Sequence, residues 1–259
     1  MLHHKRDFKY YIDLVYQKAK ADLRTEAARG YLGVLWWVIE PLMYMGAFYV
    51  VFVHFFHRGD ENFVMFLLSG LIAWKFFQTT ILTGSNSLIA NGNLMNQVYL
   101  PKILFPFTTI MVNTLKFIII LVLFLLLLIF ETGHVKLSWA FLPLIVLTQL
   151  ILVTSLTGFF SAIIPFFPDF RVILENVLLM FFFISGVFFK ISSLPDNVQN
   201  YLSLNPMAFL ISEYRNILIH GNLPNLKGLI LVIIFSLLLF CIVLWLFRRF
   251  DRIYPKIIY

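Results

Sequence analysis

Apolar residues along this chain come in long runs rather than in short alternation. Residues 32–56, 63–82, 104–130, 139–166, 172–189 and 226–247 predict six membrane-crossing helices, because a hydrocarbon core of about 30 Å takes roughly 20 helical residues. The first run opens on Leu35-Trp36-Trp37, an aromatic anchor at headgroup depth. Pro41 follows within the run and is expected to bend it. Polar segments separate the runs: 57–62, 83–102, 131–138 with Gly133 as breaker, and a tight turn around Pro165, Pro168, Asp169 and Arg171.

Two segments carry a mixed pattern. Between residues 5 and 30, apolar positions recur at Phe8, Ile12, Val15, Ala19 and Leu23, with charged residues on the other side. That spacing predicts an amphipathic helix lying in the membrane interface ahead of the first span. Residues 190–225 mix polar and apolar positions and are expected to face the extracytoplasmic side. They would hold two short amphipathic helices, 196–204 and 207–219, parted at Asn205-Pro206. The predicted fold class is therefore all-α and polytopic, a single transmembrane domain over residues 1–259.

Composition agrees with lipid as the solvent: 61% hydrophobic, 13% charged and a mean hydropathy of +0.88, against about 25% charged in soluble domains. The net charge of +7 does not point to nucleic acid, because the cations gather at the two ends. Lys5, Arg6, Lys9, Lys18, Lys20, Arg24 and Arg29 precede the first span, and Arg248, Arg249, Arg252 and Lys256 follow the last. The loops at 57–62 and 131–138 hold only Arg58 and Lys136. By the positive-inside rule both termini are expected in the cytoplasm. The amino-terminal segment is too charged for a cleaved leader, so the first span is expected to insert uncleaved.

No catalytic constellation stands out. The sequence holds no phosphate-binding Gly-x-x-x-x-Gly-Lys-Ser/Thr loop, no His-Glu-x-x-His and no Gly-x-Ser-x-Gly. Cys241 is the single cysteine, and the six histidines are scattered near water, so no metal set is predicted. Four ionisable residues fall inside or near the ends of spans: Glu40, Lys75, Lys116 and Glu175. Such residues are costly in lipid and usually face a partner or a pathway; Lys75 and Lys116 are expected to snorkel or to form internal pairs. Among the many aromatics, Trp36, Trp37, Tyr44, Tyr49, Phe181, Phe182 and Phe188 are candidates to line a conduit, since sugar C–H faces pack on aromatic rings without strong polar hold. Arg24 and Arg29 stand at headgroup height, where guanidinium groups suit bidentate phosphate contact.

Several segments in order resemble the permeases of polysaccharide ABC exporters. They are Arg29-Gly30-Tyr31-Leu32-Gly33-Val34-Leu35-Trp36-Trp37 with Glu40-Pro41, Asn93 to Lys102 leading into Pro106, Phe167-Pro168-Asp169-Phe170-Arg171, Ser185-Gly186-Val187-Phe188, Leu204-Asn205-Pro206-Met207 and Glu213-Tyr214-Arg215. In that family Gly186 stands where a proline is usual. The resemblance implies a homodimer in the bacterial cytoplasmic (inner) membrane. It implies a separate ABC subunit that binds ATP and magnesium, so that this chain carries no cofactor and is not itself an enzyme. The cargo implied is O-antigen, capsule or teichoic-acid polysaccharide on undecaprenyl diphosphate, with O-antigen or capsule preferred. Asn91, Asn93, Asn96, Gln97 and Tyr99 would couple to the ATPase, and Asn205, Pro206 and Arg215 would serve the outer gate. Two other readings remain: an ABC permease for a small molecule such as a drug or haem, and a membrane enzyme acting on lipid-linked sugar.

Overall fold

The computed structural model describes residues 8–28, 32–51, 63–97 and 100–258, and every regular element among them is helical. In chain order they are α1 (Phe8–Ala28), α2 (Trp36–Tyr49), α3 (Phe63–Ser85), α4 (Ser87–Ala90), α5 (Gly92–Gln97), α6 (Leu104–Thr132), α7 (Leu142–Ile163), α8 (Phe170–Ile184), α9 (Asp196–Ser203), α10 (Pro206–Arg215), α11 (Leu226–Phe250) and α12 (Tyr254–Ile257). Among the described residues four helices are long and apolar enough to cross a membrane: α3, α6, the Leu137–Ile163 unit containing α7, and α11.

The expected first span lies partly outside the described residues, beyond Val51. The expected fifth span, 172–189, is a 15-residue helix that stops at Ile184, about 22 Å at 1.5 Å per residue. Its helix fails at Gly186, which takes a left-handed φ of 71° that a β-carbon would strain. The second expected span gains residues 83–85, which continue α3 instead of opening a loop. The polar stretch after it is not irregular either, because it folds as α4 and α5.

The helices form one bundle with two distinct ends. At the end that gathers both terminal helices, called proximal below, Leu88, Met95, Leu100, Phe105, Val243, Phe247, Tyr254 and Ile258 make a cluster against which Leu14 of α1 packs. α1 then runs beside the first half of α6, since Glu26 near its end meets Lys116. Its inner face is Tyr11, Leu14, Val15, Lys18, Ala19, Leu23 and Ala27, spaced three and four apart. Val15, Ala19 and Leu23 face in as predicted, but Ile12 is 51% exposed. The pattern had placed Ile12 on the buried stripe, and Tyr11 takes that place because the face is set by where α6 lies.

Close packing, not water expulsion, has to hold such helices together in lipid, and small residues permit it. A β-carbon on Gly84 of α3 would stand 2.2 Å from Thr157 Cγ2 of α7, and one on Gly158 would stand 2.7 Å from Val243 Cγ1 of α11. α7 is the hub, with Thr148, Gln149, Ser155, Thr157 and Ser161 all buried. Ser155 Oγ donates to Ser236 O of α11 at 2.7 Å. α11 buries one stripe, Leu229, Val232, Ser236, Val243 and Phe247, with Phe240, Leu246 and Phe250 half-buried beside it.

At the distal end one part of the 190–225 segment, α10, folds inward, while Tyr201, Leu204 and Leu223 stay exposed. α10 begins beneath the surface, where Asn205 Nδ2 donates to Ser185 Oγ at 2.9 Å, and returns along α3 and α7 to Asn216. Met207, Ala208, Leu210, Ile211 and Tyr214 are 1% exposed or less. α10 is thus a core element rather than a helix resting on the outer surface. The expected second short helix, 207–219, is split into α10 and a π-helical turn, Asn216–His220, which ends at Gly221 with a left-handed φ of 76°.

Candidate functional site

Two places in the bundle bury polar side chains together. The first is distal, around α10. Asn205 caps this helix: its Oδ1 accepts from Met207 N at 3.0 Å and Ala208 N at 3.3 Å, with Pro206 at the first helical position where no N–H is needed. Gln149 of α7 donates to Ala73 O of α3 at 2.8 Å and accepts from Tyr214 Oη at 2.7 Å, so one amide ties three helices.

Arg215 is 5% exposed. Its guanidinium donates to Gly186 O at 2.6 Å, Val187 O at 2.7 Å and Phe66 O at 3.2 Å, and stacks 3.5 Å over the Phe66 ring. The reason lies in residues 185–189. They are not helical, so their carbonyls lack helical partners, and a buried unpaired carbonyl costs about 1–3 kcal/mol. Arg215 supplies a fork of donors that satisfies two of them at once. Glu213, 3% exposed, closes the neighbouring loop: Oε2 accepts from Asn225 N at 2.8 Å and Oε1 from Asn216 Nδ2 at 3.2 Å. Burial pushes its carboxyl above the usual range, while those two hydrogen bonds pull it back.

The second place is a cavity of about 130 Å³ nearer the proximal end. α1 contributes Glu26; α2 contributes Trp37 and Glu40; α3 contributes Ile72, Lys75, Phe76 and Thr79; α6 contributes Asn113, Lys116, Phe117 and Ile120. Lys75 Nζ lies 2.7 Å from Glu40 Oε1, and Lys116 Nζ 2.5 Å from Glu26 Oε2. Tyr44 places its ring 4.1 Å from Lys75 Nζ, and Trp37 its ring 5.3 Å from Lys116 Nζ. The expectation of internal pairs for Lys75 and Lys116 holds. Sequence gave no sign of Glu26 as a partner, because a helix of alternating charge offers many acids and only its docking on α6 selects one. Glu175, the fourth ionisable residue, pairs with Arg171 one turn back on the exposed face of α8, at 3.2 Å.

The other candidate residues divide. Trp37 lines the cavity and Tyr44 stands beside it, whereas Trp36, 53% exposed, is not among its lining residues. Arg24 is exposed on α1 and does not line the cavity; Arg29 falls outside the described residues. Tyr49 is at the exposed end of α2. Phe182 and Phe188 pack edge to face at 4.8 Å, with Trp74 5.7 Å from Phe182, and Phe181 faces outward from α8. The aromatics therefore form two separate groups, on α2 and at the end of α8. The structure does not gather them into one lining.

The sequence that builds these helices matches a known family. The profile of the family described as "ABC-2 type transporter" matches residues 19–219, from the buried face of α1 through the π-helical turn. The chain belongs to the ABC-2 type transporter family. Among relatives of this ABC-2 chain is the O-antigen export system permease protein RfbA of Myxococcus xanthus, 28% identical over 240 residues, 90% of this chain and 91% of the relative. An O-antigen export system permease protein RfbA of Klebsiella pneumoniae is 22% identical over 255 residues, 98% of each chain. The polysialic acid transport protein KpsM of Escherichia coli is 26% identical over 235 residues, 89% of this chain and 91% of the relative.

Of the residues suggested for coupling, Asn91, Asn93, Asn96 and Gln97 lie on α5 or the turn before it, at the proximal rim of the ABC-2 domain. Asn93 and Gln97 are exposed on α5, and Asn91 joins α4 to α5 by donating to Ser87 O at 2.7 Å. Asn96 is within α5, its side chain outside the described set, as is Tyr99. Sequence reasoning missed what braces this rim. Asp251 accepts from Lys102 N at 2.9 Å, Tyr254 Oη donates to Ala162 O at 3.2 Å, and Ile258 packs against Gly92. Burial pushes the Lys102 ammonium below its ordinary value, opposed by Asp251.

Proposed function

We propose that this chain is the membrane-spanning permease subunit of an ATP-driven exporter of lipid-linked polysaccharide, of O-antigen or capsule type. The observation that carries the reading is end-to-end similarity to export permeases, 98% of both chains in one Klebsiella pneumoniae relative. ATP would be hydrolysed on a separate ABC subunit, because the sequence contains no phosphate-binding loop. The exposed faces of α4 and α5, braced by the carboxyl-terminal segment, would receive that subunit, with Asn91, Asn93, Asn96, Gln97 and Tyr99 at the contact. A stiff brace suits this task, since a motor's push is transmitted only by elements that do not yield.

The single domain would cross the inner membrane six times with both termini in the cytoplasm. α2 and its continuation would complete the first crossing; α8 with residues 185–189 would complete the fifth. α1 would lie at the cytoplasmic interface. α8 buries only Leu174 and Leu178 and exposes Met180, Phe183 and Ile184, which suits a second copy and a homodimer. The cargo would travel on undecaprenyl diphosphate past the aromatics of α2 and α8, with Arg24 and Arg29 near its phosphates and Asn205, Pro206 and Arg215 governing the outer side.

Deleting the gene in its host and assaying surface polysaccharide tests the reading. Glycolipid trapped on the cytoplasmic face, released by restoring the chain together with a phosphate-loop ATPase, is the expected result. Unchanged surface glycan would overturn it, and so would export by the chain reconstituted without any ATPase.

A further inference from the structure

Lysines inside a bundle are costly unless each meets an anion. Lys75 and Lys116 meet theirs on the walls of one cavity, and the two partners of each pair are unequal. The lysines are the fixed members. Phe76 and Phe117, the residues next to them, stack with ring centroids 4.4 Å apart and lock α3 to α6. The lysine side chains are 22% and 16% exposed. The carboxylates are the removable members: Glu40 is 54% exposed and Glu26 46%, each on a helix at the margin of the bundle. Half-exposed ion pairs of this kind add little stability, so withdrawing an acid is easy provided another anion takes its place.

What could take both places is constrained by charge. Two ammonium groups are neutralised here by two carboxylates, and one ligand replacing both must carry about two negative charges. Phosphate monoesters and diphosphates do so, and their oxygens also suit the neutral hydrogen-bonding groups nearby, Thr79 and Asn113. The margin of the cavity is partly apolar, with Ile72, Phe76, Phe117 and Ile120 among its lining residues. A free anion gains nothing from that margin, but an acyl or prenyl chain does.

We propose that Lys75 and Lys116 bind the phosphate-type headgroup of an amphiphile, and that Glu26 and Glu40 are internal counterions which hold the site shut until the headgroup displaces them. This rests on the exporter reading only in identifying the physiological amphiphile with the lipid carrier of the cargo. It places a phosphate contact at the two lysines in addition to the one proposed for Arg24 and Arg29.

Native mass spectrometry of the full chain in neutral detergent, titrated with dioctanoyl phosphatidic acid, tests the site. Dioctanoyl phosphatidylcholine and inorganic pyrophosphate serve as separate arms. Phosphatidic acid should be retained and phosphatidylcholine not; pyrophosphate bound as tightly as phosphatidic acid would overturn the assignment to an amphiphile. Lys75→Gln and Lys116→Gln should each weaken retention about tenfold or more, as for loss of one hydrogen bond to a charged group, and Lys75→Arg and Lys116→Arg should keep most of it. Glu26→Gln and Glu40→Gln should tighten it several-fold, because a competitor has gone. If these two weaken binding instead, the pairs are structural staples and the proposal is wrong. Retention of phosphatidic acid with this pattern in a chain that supports no export would sink the exporter reading and leave the site standing. Normal export with retention unmoved in all four neutral variants would do the reverse.

Discussion

The distal helix α10 and the proximal cavity both hold charge, and they handle it in opposite ways. Around α10 the buried polar atoms find partners fixed by the fold: Arg215 holds backbone carbonyls, Glu213 a backbone N–H, Gln149 a carbonyl and a phenol. Most of these partners belong to the backbone and cannot be exchanged without moving it. In the cavity each lysine is satisfied by one flexible carboxylate from another helix. Such a pair can part when a second anion arrives. The contrast separates a locked half of the molecule from a switchable one, although a list of charged residues would score them alike.

The sharpest break of this contrast is Arg215→Ala. It strands the carbonyls of Gly186 and Val187, and each buried carbonyl left unsatisfied costs about 1–3 kcal/mol, so thermal unfolding in detergent should show severe destabilisation. Arg215→Lys, with no fork, should recover only part. An alanine variant as stable as the parent would end the idea of a locked half.

Next in size is Gly84→Ala. Its β-carbon would meet Thr157 Cγ2 at 2.2 Å, and overpacking of this kind costs about 1–3 kcal/mol. Thr157→Ala in the same chain should restore stability, which unfolding of the double variant would measure.

Glu213 sharpens the comparison through pH. Its carboxyl is held above the ordinary value by burial, so the folded chain binds that proton more tightly than the unfolded one. Its contribution is fully present below the ordinary carboxylate range and is lost as pH rises through the elevated value. Stability followed from neutral pH downward should gain from this group, and Glu213→Gln should remove that part of the slope. Least of all, Glu26→Gln and Glu40→Gln should each change stability by less than about 1 kcal/mol. A large loss from either would move the cavity into the locked class.

How far the sequence reached can be seen at particular residues. The runs at 63–82, 104–130, 139–166 and 226–247 were legible because apolar length is a local property, and each became a long helix. Lys75 and Lys116 were legible as anomalies because an ammonium in an apolar run stands out. Their partners were not: Glu26 is distant by 90 residues from Lys116, and nothing local distinguishes it from Asp22 or Asp13. The fifth run looked like a span because Phe188 and Phe189 are apolar, yet Gly186 breaks the helix first. Residues 207–215 looked half-polar and therefore peripheral. They are central because Glu213, Tyr214 and Arg215 each find a buried partner, and polarity predicts exposure only where no such partner exists.

The sequence by itself determined that this chain is helical and dissolved in lipid, with cations at its ends and no nucleotide loop, because these follow from composition and from periodicity over a few turns. Tertiary structure alone decided which carboxylate meets which lysine, that α10 turns inward, and that Arg215 completes the backbone of a broken helix. Those outcomes depend on groups far apart in the chain meeting in space, and the energies that select them exist only once the helices have packed.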